Sequence, residues 1–185
     1  MINTSFSYRH SIILVLFAGV LWSTIGIGIR LIDQASVWQI LLYRSVSLSI
    51  FLYFTILILF NKSPIQLITQ NLLLYFISGL ALFGAYSGGI YAIQNTSVAN
   101  VMLLFASSTF ITAILGRIFL KEKLSLITFT SIIFAILGVM VMFSGNSIHS
   151  GALKGNLSAL ASALGFSIFT LSLRFGKSGE MLPAV

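Results

Sequence analysis

Arg44 is the side chain in this sequence best placed to act on a solute. It stands inside an uninterrupted apolar run, Val37 to Phe60. Seven residues into a helix, it would lie about 10 Å along the axis. A guanidinium at mid-helix in a bilayer costs about 2.5–3.5 kcal/mol on insertion scales. A charge held there usually serves a ligand or a partner inside the bundle. The other reading is that the long stem carries the charge out to the headgroups. The sequence leaves both open.

Eight further residues supply polar or aromatic groups within or beside such runs: Trp22, Ser23, Tyr86, Tyr91, Asn100, Ser107, Ser108 and Thr109. Trp22 is mid-run, which suits packing or cavity lining better than an interface anchor. Tyr86 lies in Gly84-Ala85-Tyr86-Ser87-Gly88, a small-xxx-small step that lets helices approach closely. Ser108, Thr112 and Gly116 form a second stripe at four-residue spacing; helix packing is its plainer reading. Asn95 reads as the cap of a break in the chain, and Asn100 as a residue of the outer mouth. Together with Arg44, the eight are the candidate cavity residues.

Catalytic constellations are missing. There is no Gly-x-Ser-x-Gly, no His-Glu-x-x-His, no phosphate loop and no pair of Asp within an apolar run. The three acids, Asp33, Glu122 and Glu180, all fall outside the runs, so a carboxylate proton relay is not expected in this stretch of chain. Glu122, between Lys121 and Lys123, reads as an ion pair or a cap at a helix start, with gating as the alternative. Cysteine is absent, which excludes disulfides and thiolate-bound metals. His10 and His149 lie in polar flanks without ligand neighbours. Neither a cofactor nor a metal is expected, and the chain does not read as an enzyme.

Composition says where these residues must sit. Of 185 residues, 58% are hydrophobic and 7% charged, against about 25% charged in soluble domains. The mean hydropathy is +1.07. There is too little polar surface to cover a water-soluble globule. The net charge of +7 is spread between apolar runs and forms no basic patch, so nucleic acid is not an expected partner; the lipid bilayer is.

A spanning helix needs about 20 apolar residues. Six segments qualify: Ser11–Leu31, Val37–Phe60, Leu72–Ile93, Val98–Leu120, Leu124–Phe143 and Gly155–Leu173. The third and fourth share a charge-free stretch and are divided at Gln94-Asn95-Thr96. The first is too long for a cleaved signal peptide and is followed by more spans. The expected fold is therefore all-α and polytopic. Basic residues fix the orientation. With the N-terminus inside, Arg9, Lys62, Arg117, Lys121, Lys123, Arg174 and Lys177 lie inside, and Arg30 and Lys154 outside. Seven against two favours a cytoplasmic N-terminus. The loops are too short to fold by themselves, so function must lie among the helices.

The first and sixth spans are alike. Trp22 and Phe166, Ser23 and Ser167, and Arg30 and Arg174 are each 144 positions apart. A sixth helix that restarts the pattern of the first implies a repeat of five helices, and an odd number inverts the second copy in the membrane. Inverted repeats mark secondary transporters. A complete second copy would need four more helices beyond Val185.

Five pieces of the chain, in order, resemble the EamA type of the drug/metabolite transporter superfamily. Gly19-Val20-Leu21-Trp22-Ser23 is similar to its first-helix signature, and Tyr43-Arg44 to its second-helix arginine. Tyr91 to Ala99 (Tyr-Ala-Ile-Gln-Asn-Thr-Ser-Val-Ala) is similar to its turn between helices three and four. Phe119-Leu120-Lys121-Glu122-Lys123-Leu124-Ser125 is similar to its Leu-x-Glu-x-Leu-Ser loop, and Gly138-Val139 to the end of its helix five. The resemblance implies a ten-helix secondary transporter of small solutes, an exporter, with its cavity between two repeats. In this chain it implies residues 1–10 as a cytoplasmic N-terminus, 11–143 as the first repeat, 144–154 as the inter-repeat loop and 155–185 as the start of the second. The implied location is the plasma membrane. The chain would then be part of a longer protein, needing its C-terminal half or self-association to close the cavity. The alternative is a non-transporting scaffold. The family often has proline in helix four where this sequence has Thr109. Without it, Ser107, Ser108 and Thr109 are expected to bend that helix only mildly.

Overall fold

The computed structural model describes residues 8–32, 35–60, 71–145 and 150–176. Every regular element among them is helical: α1 (Tyr8–Arg30), α2 (Val37–Phe60), α3 (Leu72–Asn95), α4 (Val98–Ala106), α5 (Ser108–Phe119), α6 (Leu126–Gly145) and α7 (Ser150–Phe175). The helices α1, α2, α3 and α7, and α4 with α5 taken as one span, are each long and apolar enough to cross a membrane. α6 is helical over 20 residues and apolar through Leu126–Val141. The protein is an all-helical, polytopic membrane protein. Its outward side chains confirm the solvent: Leu126, Ile127 and Phe134 are among many large apolar residues left fully open, which only lipid tolerates on this scale.

Local chemistry sets the helix ends. Ser36 and Gln39 form a reciprocal box at the start of α2: the Gln39 N–H donates to Ser36 Oγ (3.3 Å) and the Ser36 N–H to Gln39 Oε1 (2.9 Å), satisfying two backbone donors that a helix start leaves open. The α3–α4 turn is as short as the sequence suggests. Thr96 is extended, and Ser97 Oγ accepts from the Asn100 N–H at 3.1 Å. Asn95 donates its amide back to the Tyr91 carbonyl at 2.8 Å, taking up an acceptor of the last turn.

Two elements differ from the sequence reading. The fourth span is not one gently bent helix. It is interrupted at Ser107, and side-chain competition for the backbone is the cause. Both the N–H and the Oγ of Ser107 donate to the Leu104 carbonyl (3.1 and 2.5 Å). Thr109 Oγ1 donates to the Ala106 carbonyl (2.9 Å). Bonds three residues back tighten the turn and divert the ladder, so hydroxyls interrupt the helix where proline is absent. The second difference is α7, which starts at Ser150. The Ser150–Lys154 part of the stretch read as loop is helical.

α7 is the centre of the bundle. Of its spanning window 44% is buried, against 11% for α1 and α2, and its largest interface is with α3. Small residues make this approach possible. A Cβ on Gly165 would stand 2.9 Å from the Ala81 carbonyl oxygen and 3.1 Å from the Ala85 nitrogen. One on Gly155 would meet Thr96 Cβ at 2.9 Å. Hydroxyls then fasten the contact: Ser158 donates to the Gly88 carbonyl (2.9 Å), Ser162 to Ala85 (2.5 Å) and Ser167 to Ser108 (2.9 Å). In lipid no water competes for these bonds. The stripe Ser108, Thr112, Gly116 is buried and faces this same helix. Of the two glycines of the Gly84–Gly88 step, only Gly88 lies against α7.

Candidate functional site

The interior cleft is built by five helices. α1 contributes Trp22, Ile25 and Ile29, α2 Arg44, α3 Ala85 and Tyr86, and α4 Phe105, with Ser162 of α7 at the back. Arg44 turns toward α3 and places its guanidinium 3.7 Å from the centre of the Tyr86 ring. A π face attracts a cation without neutralising it. The other described carboxylate-bearing region is remote: Glu122 is paired with Arg174. Among the described residues no carboxylate is paired with Arg44, and in surroundings of low dielectric charge acts over longer range.

A second cleft of about 150 Å³ lies on the far side of the same pair, between α2 and α3, and shares Arg44 and Tyr86 with the first. The first encloses about 50 Å³, where small-molecule sites span about 300–1,000 Å³. These helices thus form a wall rather than an enclosed chamber. Trp22 closes one side, in edge contact with Phe166 (6.2 Å between centres), which also packs against Phe105 (5.1 Å).

Of the nine residues singled out from sequence, the structure brings Trp22, Arg44 and Tyr86 together. Ser23 and Thr109 face outward, and Tyr91 is exposed on the opposite side of α3 from the buried Ile90 and Ile93. The Asn100 N–H is engaged at the start of α4. Ser107 shapes the helix break, and Ser108 is buried, its carbonyl accepting from both Thr112 and Ser167. Ser162, Gly89 and Phe105 line the cleft and were not singled out. Ser162 lies 144 positions after Ala18, so the repeat spacing reaches it; Gly89 and Phe105 carry no such signal.

Glu122 sits at the other end of the bundle. It accepts from Arg174 at 2.9 Å, and its carbonyl accepts from Arg117 at 3.1 Å. It does not cap α6, where Ser125 Oγ takes the Thr128 N–H at 3.1 Å. The pair ties the end of α7 to the α5–α6 connection. Both side chains are 42% exposed, and exposed pairs contribute at most about 1 kcal/mol. Glu122→Gln is expected to lower stability by less than that, read as a shift of a few degrees or less in thermal unfolding.

The geometry now has a family to belong to. The sequence profile of the EamA-like transporter family matches residues 9–144. The chain belongs to the EamA-like transporter family. It is therefore a multi-pass membrane transporter of the drug/metabolite superfamily, and the family is one of transporters rather than enzymes. No curated protein and no solved structure gives a significant match. The EamA match takes in α1 to α6 up to residue 144, and thus Trp22, Arg44, Tyr86 and Phe105 but not Ser162.

Proposed function

We propose that this EamA-like protein moves small anionic or zwitterionic solutes across the plasma membrane, outward, by alternating access between two inverted five-helix repeats. The observation that carries the substrate class is Arg44: a cation inside the bundle, held over Tyr86 at 3.7 Å, with no described carboxylate beside it. An incoming carboxylate or phosphate would supply the missing countercharge, and Arg can donate two parallel hydrogen bonds to either. A cationic solute would meet repulsion there. The contact of Trp22 with Phe166, residues at matched positions of the repeat, supports the two-repeat arrangement. Basic residues favour a cytoplasmic N-terminus.

Solute counterflow in proteoliposomes tests this. Vesicles preloaded with a panel of unlabelled carboxylates, amino acids, phosphate esters and organic cations are given the corresponding labelled solute. The expected result is accumulation of one or more anionic or zwitterionic solutes above protein-free vesicles. Accumulation confined to cations would overturn the substrate class.

A further inference from the structure

Three cavities are arranged in series along the bundle. Beyond the Arg44 cleft, toward the α3–α4 turn, lies a polar vestibule of about 510 Å³ lined by Arg30, Ala35, Ser36 and Gln94. It shares Ile29 and Ile93 with the Arg44 cleft. These two isoleucines are buried and form part of the wall of both spaces. An apolar constriction at the inner end of a polar space is a device that controls passage by excluding water. On the other side, Arg44 and Tyr86 separate the cleft from the 150 Å³ space.

Arg30 gives the vestibule its sign. Its guanidinium donates to the Thr96 carbonyl at 2.5 Å, a neutral acceptor that orients the side chain, and no carboxylate among the described residues is paired with it. The Gln94 amide is engaged with the Ala35 carbonyl at 3.0 Å, which fixes the opposite rim. The one carboxylate among the described residues, Glu122, is bound to Arg174 in the connection after α5. Asp33, close in sequence, lies outside the described residues. The vestibule thus presents a fixed cation at its mouth, two isoleucines at its floor and a second cation beyond them.

We propose that the Arg30 vestibule, on the outer side of the bundle, is a docking site for the anionic group of a small solute, which it holds after the solute passes from Arg44 by Ile29 and Ile93 and before release. This rests on the reading of the Arg44 cleft as the solute site, and it adds a last station and an order of contacts. Field lines focus in such a concave, low-dielectric mouth and raise the local concentration of the attracted ion.

The natural absence of cysteine provides a direct test that does not depend on transport. Ala35→Cys places a lone thiol on the vestibule wall. The full chain, in nanodiscs of neutral phosphatidylcholine, is labelled with an anionic (sulfonatoethyl) and a cationic (trimethylammonioethyl) methanethiosulfonate. The ratio of the two rates is divided by that of a small free thiol. The expected ratio favours the anion at least threefold (on the order of the enrichment a several-kT surface potential allows). Arg30→Gln should return it to one, and Arg30→Lys should retain it while keeping the fold. A starting ratio of one, a preference for the cation, or a preference unchanged by Arg30→Gln overturns the proposal. A null counterflow result with this preference intact would count against the transport reading and spare the anion site.

Discussion

Arg44→Ala is expected to reduce counterflow at least tenfold while leaving the protein folded. A charge-assisted hydrogen bond contributes about 1.5–3 kcal/mol, which is roughly 10- to 150-fold in affinity. The fold loses little, because the same change removes the cost of holding a charge within a span along with the stacking contact on Tyr86. Arg44→Lys keeps the charge but neither the planar stacking nor the paired donors, so intermediate flux is expected. Tyr86→Phe keeps the π face and should approach the parent; Tyr86→Leu should resemble Arg44→Lys. Rates are compared at equal amounts of monodisperse protein. Full flux in Arg44→Ala would remove the arginine from the solute path.

Gly165→Leu is expected to give the largest loss of stability of any single change described. The new side chain would begin 2.9 Å from the Ala81 carbonyl oxygen and 3.1 Å from the Ala85 nitrogen. Both are backbone atoms of α3 and cannot turn aside. Overpacking of this kind typically costs about 1–3 kcal/mol. Here it also draws Ser162 away from the Ala85 carbonyl it bonds at 2.5 Å, leaving polar groups unpaired in lipid. Gly138→Leu is the control, since a Cβ there meets nothing within 4 Å. Thermal unfolding in detergent should fall by many degrees for Gly165→Leu and hardly at all for Gly138→Leu. Equal shifts would contradict the α3–α7 contact.

The spans were legible because they obey a local rule. Val37–Phe60 is bounded by polar residues and emerges as α2 with the same ends. The α3–α4 turn was legible because Asn, Thr and Ser cluster between two apolar runs. The break at Ser107 was not: it depends on which of several backbone bonds the hydroxyls of Ser107 and Thr109 win, a competition that residue type alone does not decide. The start of α7 was hidden for a similar reason, because Ser150 to Lys154 has the composition of a loop and becomes the first turn of a helix.

Part of the site was legible and part was not. A lone arginine in an apolar run draws notice by its cost alone, which singled out Arg44. Its partner did not follow, since nothing in the sequence says that Tyr86, rather than Tyr91 or Trp22, lies under the guanidinium. Tyr86 and Tyr91 are five residues apart on one helix, and only the packing of α3 against α2 and α7 turns one inward and the other outward. Arg30 counted in the sequence as a topogenic charge. Its place at a vestibule appears only when the Thr96 carbonyl is seen to hold it.

The central claim, that solute meets the wall formed by Trp22, Arg44 and Tyr86, has an intrinsic reporter. The chain has two tryptophans; Trp38 stacks on Phe83 at 6.2 Å and lines none of the cavities described above. Trp38→Phe leaves Trp22 as the sole emitter. Titrating this protein with a solute that it transports should change Trp22 emission saturably, and Arg44→Ala should abolish the change. A transported solute that leaves Trp22 emission unaltered at saturating concentration would contradict the account.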